Sequence, residues 1–416
     1  MTEPTWSQMT RVFGRIGLLS FGGPAAQIAL MHDALVVREK WLSEDQYLRA
    51  LSLCMLLPGP EAMQLATYGG WRLRGVAGGL LAGLLFVVPG ALVIMALALG
   101  YVWVGDLPLV QAGFLGIKAA VIVIVVQALM RLARKALQGP LAWALAGLAF
   151  VALFVFGVPF PWIVVGAGIV GYARARGDAV PAPPPARVNS LPTVAVWAAL
   201  WAAPVVALWV FAQEFLLQIA LFFSKLAVVT FGGAYAVLAY MTQAVVQDYG
   251  WITTTQMIDA LGLAETTPGP LILVTEFVAL LAGYAQGGVG MALAAGMVAL
   301  WVTFTPCFLW IFAAGPYLDH IAARPRLAAA LRGITAAVTG VILNLSVWFA
   351  LHVLFTSVGT VRGLALPVPQ LATLDVAALA LTCLAAVLML GIRLSLFASL
   401  SVMAALGCGV FLLGFT

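Results

Sequence analysis

The sequence predicts an all-α polytopic membrane protein made of two homologous halves, and three observations support this prediction. Of the 416 residues, 64% are hydrophobic and only 8% are charged, whereas charged residues make up about 25% of an ordinary soluble protein. The apolar stretches are long enough to cross a hydrocarbon core of about 30 Å several times. Motifs of the first half recur in the same order in the second half. A transmembrane β-barrel would instead show short alternating segments.

Two motifs rich in glycine and proline occur once in each half. Residues 20–24 read Ser-Phe-Gly-Gly-Pro and residues 230–234 read Thr-Phe-Gly-Gly-Ala, while Pro-Gly-Pro stands at 58–60 and at 268–270. Both pairs are 210 positions apart, so each half separates its Phe from its first proline by 37 residues. Paired interruptions in equivalent hydrophobic segments are typical of the substrate site of a transporter.

The first half, residues 1–173, begins with two interrupted apolar segments. Residues 6–38 and 44–74 each contain one of the motifs near the middle. An arm of about 15 residues makes roughly 22 Å of helix, which is too short to cross a bilayer. We therefore predict re-entrant hairpins or discontinuous helices whose broken tips lie inside the protein, where irregular backbone is tolerated. Four spans are predicted to follow, at 75–103, 108–130, 140–157 and 159–173.

A linker and the second repeat make up the rest of the chain. Residues 174–192 are rich in proline and charge, which predicts an extended, solvated linker. The second repeat, 193–416, opens with one additional span at 193–211. Broken segments are predicted at 215–247 and 254–286, and further spans at 288–315, 327–356, 372–390 and 393–415.

Charge placement predicts that the second half is inverted in the membrane. If both early hairpins return to their starting face, the basic residues of the first half share one side, which the positive-inside rule makes cytoplasmic. The loop 38–41, Arg-Glu-Lys-Trp, matches 248–251, Asp-Tyr-Gly-Trp, which lacks positive charge. We therefore expect an inverted repeat, with the N-terminus and the linker in the cytoplasm.

The broken helices are candidate anion-binding elements. A helix that starts inside the membrane points unpaired N–H groups and the positive end of its dipole at the break. The candidate backbone donors are Gly22, Gly23, Gly59, Gly232, Gly233 and Gly269. We expect Pro60 and Pro270 to occupy the first helical position after each break. The alternative interpretation is that the glycines only permit close helix crossing.

Hydroxyl groups flank these breaks in both halves. Ser20 and Thr230 precede the glycines, and Thr266 and Thr267 precede the second Pro-Gly-Pro. They are candidate substrate ligands, and the alternative is that they cap the helices.

Three cations are candidate substrate ligands because charges within membrane segments are usually functional or paired. Arg15 and Lys225 occupy equivalent positions, five residues before Ser20 and Thr230. Arg15 could alternatively reach the membrane interface. Lys118 is the only charge in its predicted span and would either bind substrate or neutralise Glu61.

Glu61 and Glu265 are candidate coupling residues. Glu61 follows Pro60, and a buried membrane carboxylate is suited to carry a coupled proton. The alternative is that Glu61 only complements the helix dipole. The histidines do not cluster, the four cysteines are scattered, and no nucleotide-binding pattern is present. The sequence therefore predicts no catalytic site, no metal, no cofactor and no nucleic-acid partner.

The segments Phe-Gly-Gly-Pro at 21–24, Leu-Pro-Gly-Pro-Glu at 57–61, Thr-Phe-Gly-Gly at 230–233 and Glu-Thr-Thr-Pro-Gly-Pro at 265–270 resemble the chromate ion transporter family. The similarity is to its long-chain form, in which two homologous domains are fused. This resemblance implies export of chromate across the bacterial inner membrane, chromate resistance, and sulfate as a mimic. Both Pro-Gly-Pro motifs and Lys225, within Phe-Ser-Lys-Leu, match the family pattern.

We therefore predict a secondary transporter that exports a tetrahedral oxyanion, most simply chromate, with sulfate as a second candidate ligand. The membrane potential would drive it, with or without proton coupling. The alternatives are a sulfate or oxyanion importer and an anion channel. The expected partners are the anion, the lipid bilayer and a second copy of the chain in a homodimer.

Overall fold

The computed structural model describes residues 4–175, 190–231, 234–317, 324–361 and 364–414. Within these ranges the chain is almost entirely helical, as predicted. Most of the predicted linker lies outside the described residues, and so do Gly232 and Gly233.

In the first repeat both predicted interrupted segments are present, and each is broken at its motif. A π-helical segment, Asp33–Arg38, continues the helix that ends at His32. The helices are α1 (Trp6–Leu19), α2 (Gly23–His32), α3 (Glu44–Leu56), α4 (Glu61–Val104), α5 (Pro108–Ala136), α6 (Pro140–Phe154) and α7 (Phe160–Ala173).

The second repeat follows the same plan after the additional helix α8 (Leu191–Val210). The π-helical segments Ala244–Asp248 and Val387–Gly391 continue the helices that end at Gln243 and Ala386, and the 3₁₀ turn Leu271–Leu273 leads into the helix that begins at Val274. The remaining helices are α9 (Glu214–Val229), α10 (Ala234–Gln243), α11 (Thr254–Thr266), α12 (Val274–Ala314), α13 (Pro325–Leu354), α14 (Val376–Ala386) and α15 (Leu396–Leu412).

Two short antiparallel strands connect α13 to α14, and the sequence analysis did not predict them. β1 (Val358–Thr360) pairs with β2 (Pro367–Pro369). Three residues per strand are too few for the alternating pattern by which strands are recognised in a sequence.

Matching caps start the second interrupted segment of each repeat. In α3 the Ser43 hydroxyl accepts a hydrogen bond from the Gln46 N–H, and the Gln46 side chain accepts one from the Ser43 N–H. Thr253 and Gln256 form the same reciprocal pair before α11. Such capping boxes satisfy two N–H groups that the first turn leaves unpaired. The repeated glutamines therefore have a structural role.

Both α4 and α12 join a hairpin arm to the following span through a kink. Helical geometry is lost at Arg74 and Gly75 in α4 and at Gly287 and Gly288 in α12. The second residue of each kink is a glycine with nearly the same backbone, φ 60° and ψ −155° at Gly75 and φ 70° and ψ −159° at Gly288. The repeats are thus alike in backbone detail as well as in sequence.

Five helical segments within the described ranges are long and apolar enough to cross a membrane. They are Glu61–Val104, Pro108–Ala136, Leu191–Val210, Leu271–Tyr317 and Pro325–Leu354. The spans predicted at 140–157, 159–173, 372–390 and 393–415 are apolar helices of 10–17 residues, shorter than a full crossing.

The chain divides into two compact units, and each unit contains parts of both repeats. The first comprises Met1–Leu99, Tyr172–Val237 and Thr267–Leu331, and the second comprises Gly100–Gly171, Leu238–Thr266 and Arg332–Thr416. In the first unit α12 packs against α8 and α9, and in the second α5 packs against α11, α14 and α15. The sequence boundaries at 173 and 193 therefore separate repeats but not compact units.

Within the second unit, matched glycines let helices of opposite repeats cross closely. A side chain at Gly116 in α5 would collide with the backbone of Met403 in α15. A side chain at Gly333 in α13 would collide with the backbone of Ala167 in α7. Gly116 and Gly333 begin the matched segments Gly-Ile-Lys-Ala-Ala-Val and Gly-Ile-Thr-Ala-Ala-Val. At these two positions, the glycines serve close packing between helices.

Candidate functional site

The four broken motifs are joined in the first unit by two crossed hydrogen bonds. The N–H of Gly59 donates to the carbonyl of Thr230 at 2.8 Å, and the N–H of Gly269 donates to the carbonyl of Ser20 at 2.9 Å. Each bond joins the Pro-Gly-Pro break of one repeat to the Phe-Gly-Gly break of the other. The two bonds are equivalent under the offset of 210 residues, so the repeats meet as a symmetric pair.

The break glycines adopt backbone conformations that other residues rarely adopt. The φ angles are +83° at Gly22, +78° at Gly23, +116° at Gly59 and +86° at Gly269. A residue with a Cβ is disfavoured at positive φ. The Pro268 carbonyl also lies where a side chain at Gly90 would stand. Glycine is therefore required at the breaks for backbone geometry, whether or not an anion binds there.

Two buried glutamines, which the sequence analysis did not single out, stabilise these breaks. Gln27 Nε2 donates to the carbonyl of Gly269 at 2.7 Å and to that of Ser20 at 3.2 Å. Gln64 Nε2 donates to the carbonyl of Pro58 at 2.6 Å, while its Oε1 is buried without a hydrogen-bond partner among the described residues. Their repeat counterparts are both valine, so the repeat pattern gave no signal for them. The only indication in the sequence was that each glutamine is a single amide side chain within a short apolar segment.

The prolines that follow the breaks stand one position earlier than predicted. Helix α4 begins at Glu61, and the second half-helix begins at Leu271. Pro270 is extended, with φ −68° and ψ 136°, and so occupies the N-cap position. The expectation that Pro60 and Pro270 are the first helical residues is therefore wrong by one residue. Neither proline interrupts the hydrogen bonding of the half-helix that it precedes.

The predicted hydroxyl ligands bond within their own helices. Ser20 Oγ donates to the Ile16 carbonyl at 2.5 Å, and Thr230 Oγ1 donates to the Leu226 carbonyl at 2.6 Å. Thr266 Oγ1 likewise donates to the Leu263 carbonyl at 2.8 Å. These protons satisfy carbonyls near the helix ends, where partners are lacking. Thr267 is buried in the first unit beside its Pro-Gly-Pro break.

Arg15 and Lys225 occupy equivalent places in the structure. Both side chains are exposed, on the faces of α1 and α9 that lie away from the buried Phe13 and Phe223. The equivalent positions of Arg15 and Lys225 follow from the repeat. Because both side chains are exposed, they lie outside the packed interior of the first unit.

Lys118 has an acidic partner that the sequence analysis did not identify. Its Nζ lies 2.8 Å from Oδ1 of Asp259, and Asp259 is completely buried in α11. Tyr101 donates its hydroxyl proton to Oδ2 of Asp259 at 2.6 Å. The alternative partner proposed from the sequence was Glu61. The repeat counterpart of Asp259 is Arg49, so comparison of the halves did not reveal an acid here.

The other membrane carboxylates belong to the breaks or lie near them. Glu61 is the first residue of α4 and is half-buried, whereas Glu265, near the end of α11, is buried. Glu276, in the first turn of α12, is buried, and its Oε2 lacks a hydrogen-bond partner among the described residues. Within the described ranges, no group of three or more His, Cys, Asp or Glu residues is placed to hold a metal ion.

Two repeats of apolar helices, broken at matched motifs that bond to each other, define a membrane transporter of the repeat type. The chain belongs to the chromate transporter family, whose model matches residues 7–172 and 217–412.

Named relatives support this assignment over most of the chain. A probable chromate transport protein of Synechococcus elongatus is 33% identical, over 82% of this chain and 84% of that one. Chromate transport proteins of Cupriavidus metallidurans and Pseudomonas aeruginosa are 31% and 34% identical. The alignments cover 82% of this chain and 82% of the former protein, and 81% of this chain and 79% of the latter. No solved structure matches the chain.

Proposed function

We propose that this protein is a secondary transporter that exports chromate from the bacterial cytoplasm across the inner membrane by alternating access. The observation that supports it best is the pair of crossed hydrogen bonds, Gly59 to Thr230 and Gly269 to Ser20. They hold breaks of both repeats together in the first unit. Family membership supports chromate as the transported anion.

The proposed anion site uses the N-termini of the broken helices. The Gly59 and Gly269 amides are already bonded to carbonyls, so the remaining donors are the first-turn N–H groups of α2, α4 and the half-helix that begins at Leu271. A helix N-terminus favours an anion through these amides and through its dipole. In this proposal Arg15 and Lys225 supply positive charge from equivalent, exposed positions.

The membrane potential is sufficient to drive export in this proposal. Moving one charge through 100 mV changes its free energy by about 2.3 kcal/mol, so a dianion leaving a negative interior gains about 4.6 kcal/mol. This energy corresponds to a concentration ratio on the order of a thousandfold or more. Glu61 and Glu265 are the proposed coupling carboxylates if a proton also moves.

Reconstitution of the full chain into liposomes tests the proposal. We expect flux of chromate, competition by sulfate, little transport of phosphate, and a rate that follows an imposed potential. Sulfate uptake driven by a pH gradient, without response to potential, would instead indicate an importer. Unitary conductance in planar bilayers would indicate an anion channel. Failure to move chromate under any gradient would overturn the proposal.

A further inference from the structure

We propose that Asp259 is a proton-binding site linked to anion binding at Lys118, so that a proton and an oxyanion bind together in the second unit. The inference rests on the proposed function and adds to it a second anion-binding position with a defined response to pH. Asp259, Lys118 and Tyr101 all belong to that unit.

The side chains of Lys118 and Asp259 differ in their exposure to solvent. The Lys118 side chain is 12% exposed, whereas that of Asp259 is 0% exposed. An incoming anion would therefore meet the ammonium group, with the carboxylate behind it. Gly262, one turn beyond Asp259, allows α11 to approach α5, because a side chain there would stand 3.1 Å from Ile117 Cγ2.

The hydrogen bonding of Asp259 leaves one oxygen able to take a proton. Oδ2 accepts the hydrogen bond from Tyr101, whereas Oδ1 contacts the ammonium at 2.8 Å without forming an aligned hydrogen bond. Asp106, beyond Tyr101, is exposed. Among the described residues of this unit, the ionisable groups that bond or pair with Asp259 are Lys118 from α5 and Tyr101 from the end of α4.

Electrostatics determine whether proton binding at Asp259 strengthens or weakens anion binding at Lys118. While Asp259 is ionised, its charge neutralises Lys118 and repels a second anion at the same ammonium. When Asp259 takes a proton, Lys118 becomes a largely buried cation without a counterion, which is unfavourable. A sulfate or chromate dianion at Lys118 then replaces the lost charge. Each ligand must strengthen binding of the other by the same factor.

Sulfate binding to the full-length protein in detergent, followed by calorimetry and thermal unfolding, tests the proposal. Sulfate is the better probe because chromate itself takes up a proton near neutral pH. We expect the affinity for sulfate to rise as the pH falls, by up to about tenfold for each pH unit, as one linked proton requires. Asp259→Asn, which resembles the protonated form, should retain a sulfate affinity that is high and independent of pH.

Three further variants make the test decisive. Lys118→Gln should abolish the pH-linked part of binding, and Asp106→Asn, which removes a nearby exposed acid, should leave the wild-type response unchanged. If Asp259→Asn does not fold, Tyr101→Phe provides the second test. Loss of that hydrogen bond disfavours the carboxylate, so the sulfate response should move to higher pH. A wild-type response in Asp259→Asn or Tyr101→Phe would overturn the proposal.

The binding measurement separates this inference from the proposed function. Proton-linked sulfate binding without chromate flux would contradict the transport proposal alone. Chromate flux with sulfate binding that is independent of pH in the wild type would contradict this inference alone.

Discussion

At the scale of single residues, the break glycines carry the clearest structural requirement. Gly59 has φ +116°, and an added Cβ would stand 2.8 Å from Gln64 Nε2 and 3.0 Å from Cys307 Sγ. We therefore expect Gly59→Ala to destabilise the protein by about 1–3 kcal/mol, the typical penalty for strained backbone. Thermal unfolding in detergent would measure this loss. Gly147→Ala is the control, because no atom lies within 4 Å of the added Cβ. Equal stability of the two variants would show that the break tolerates a side chain.

Lys225 is the cation for which the sequence makes the most specific prediction. We expect Lys225→Gln to reduce chromate flux roughly tenfold to a hundredfold, the effect of losing a charged hydrogen bond worth about 1.5–3 kcal/mol. Because the side chain is exposed, the fold should survive. Arg15→Gln should act in the same direction. Arg11→Gln, an exposed arginine of α1 without a basic repeat counterpart, is the control. Unchanged flux in folded Lys225→Gln would remove Lys225 from the site.

Glu61 tests whether a proton moves through the first unit. We expect Glu61→Gln to reduce the response of chromate flux to a pH gradient and to leave flux driven by potential, since the neutral amide carries no proton. Flux measured with pH and potential clamped separately provides the readout. Glu39→Gln, which removes an exposed acid, should not change either response. If the pH gradient and the potential drive chromate flux through Glu61→Gln as they do through the wild type, Glu61 only stabilises the N-terminus of its half-helix.

At the scale of helices, the sequence predicted the breaks well because glycine and proline act locally. The expected interruptions of 6–38, 44–74, 215–247 and 254–286 are all present. Contacts between residues far apart in the sequence were harder to predict. Asp259 meets Lys118 only because α11 packs on α5, and no local pattern signals that packing. The roles of the hydroxyls also depended on geometry, because a serine before a break can donate to a ligand or to its own helix.

The kinks in α4 and α12 are a second repeated element that can be tested. Gly75 and Gly288 have a backbone conformation that is nearly exclusive to glycine, yet no atom lies within 4 Å of an added Cβ. Alanine at either position should therefore cost about 1–3 kcal/mol through backbone strain alone. The midpoint of thermal unfolding should fall for Gly75→Ala and Gly288→Ala. Gly100→Ala, another position without neighbouring atoms, should match the wild type. A kink that tolerates alanine would contradict this account.

At the scale of the whole molecule, the repeats are expected to face opposite sides of the membrane. We predict that a cysteine at position 39 reacts from the cytoplasmic side and one at position 249 from the outside, because only the first loop is basic. Glu39→Cys and Tyr249→Cys would be labelled in intact cells with an impermeant maleimide. The background should lack Cys383 and Cys408, which are exposed and partly exposed, whereas Cys54 and Cys307 are buried. Labelling of both positions from one side would refute the inverted repeat.

The crossed hydrogen bonds also have a consequence for biosynthesis. The Gly59 N–H and the Ser20 carbonyl bond to residues of the second repeat, at Thr230 and Gly269. At a translation rate of about 5–20 residues per second, roughly ten to thirty seconds pass between the synthesis of Gly59 and that of Thr230. During this interval the first pair of hairpins resides in the translocon or the bilayer with these groups lacking their final partners. The first half therefore completes its breaks only after the ribosome has passed Gly269 in the second repeat.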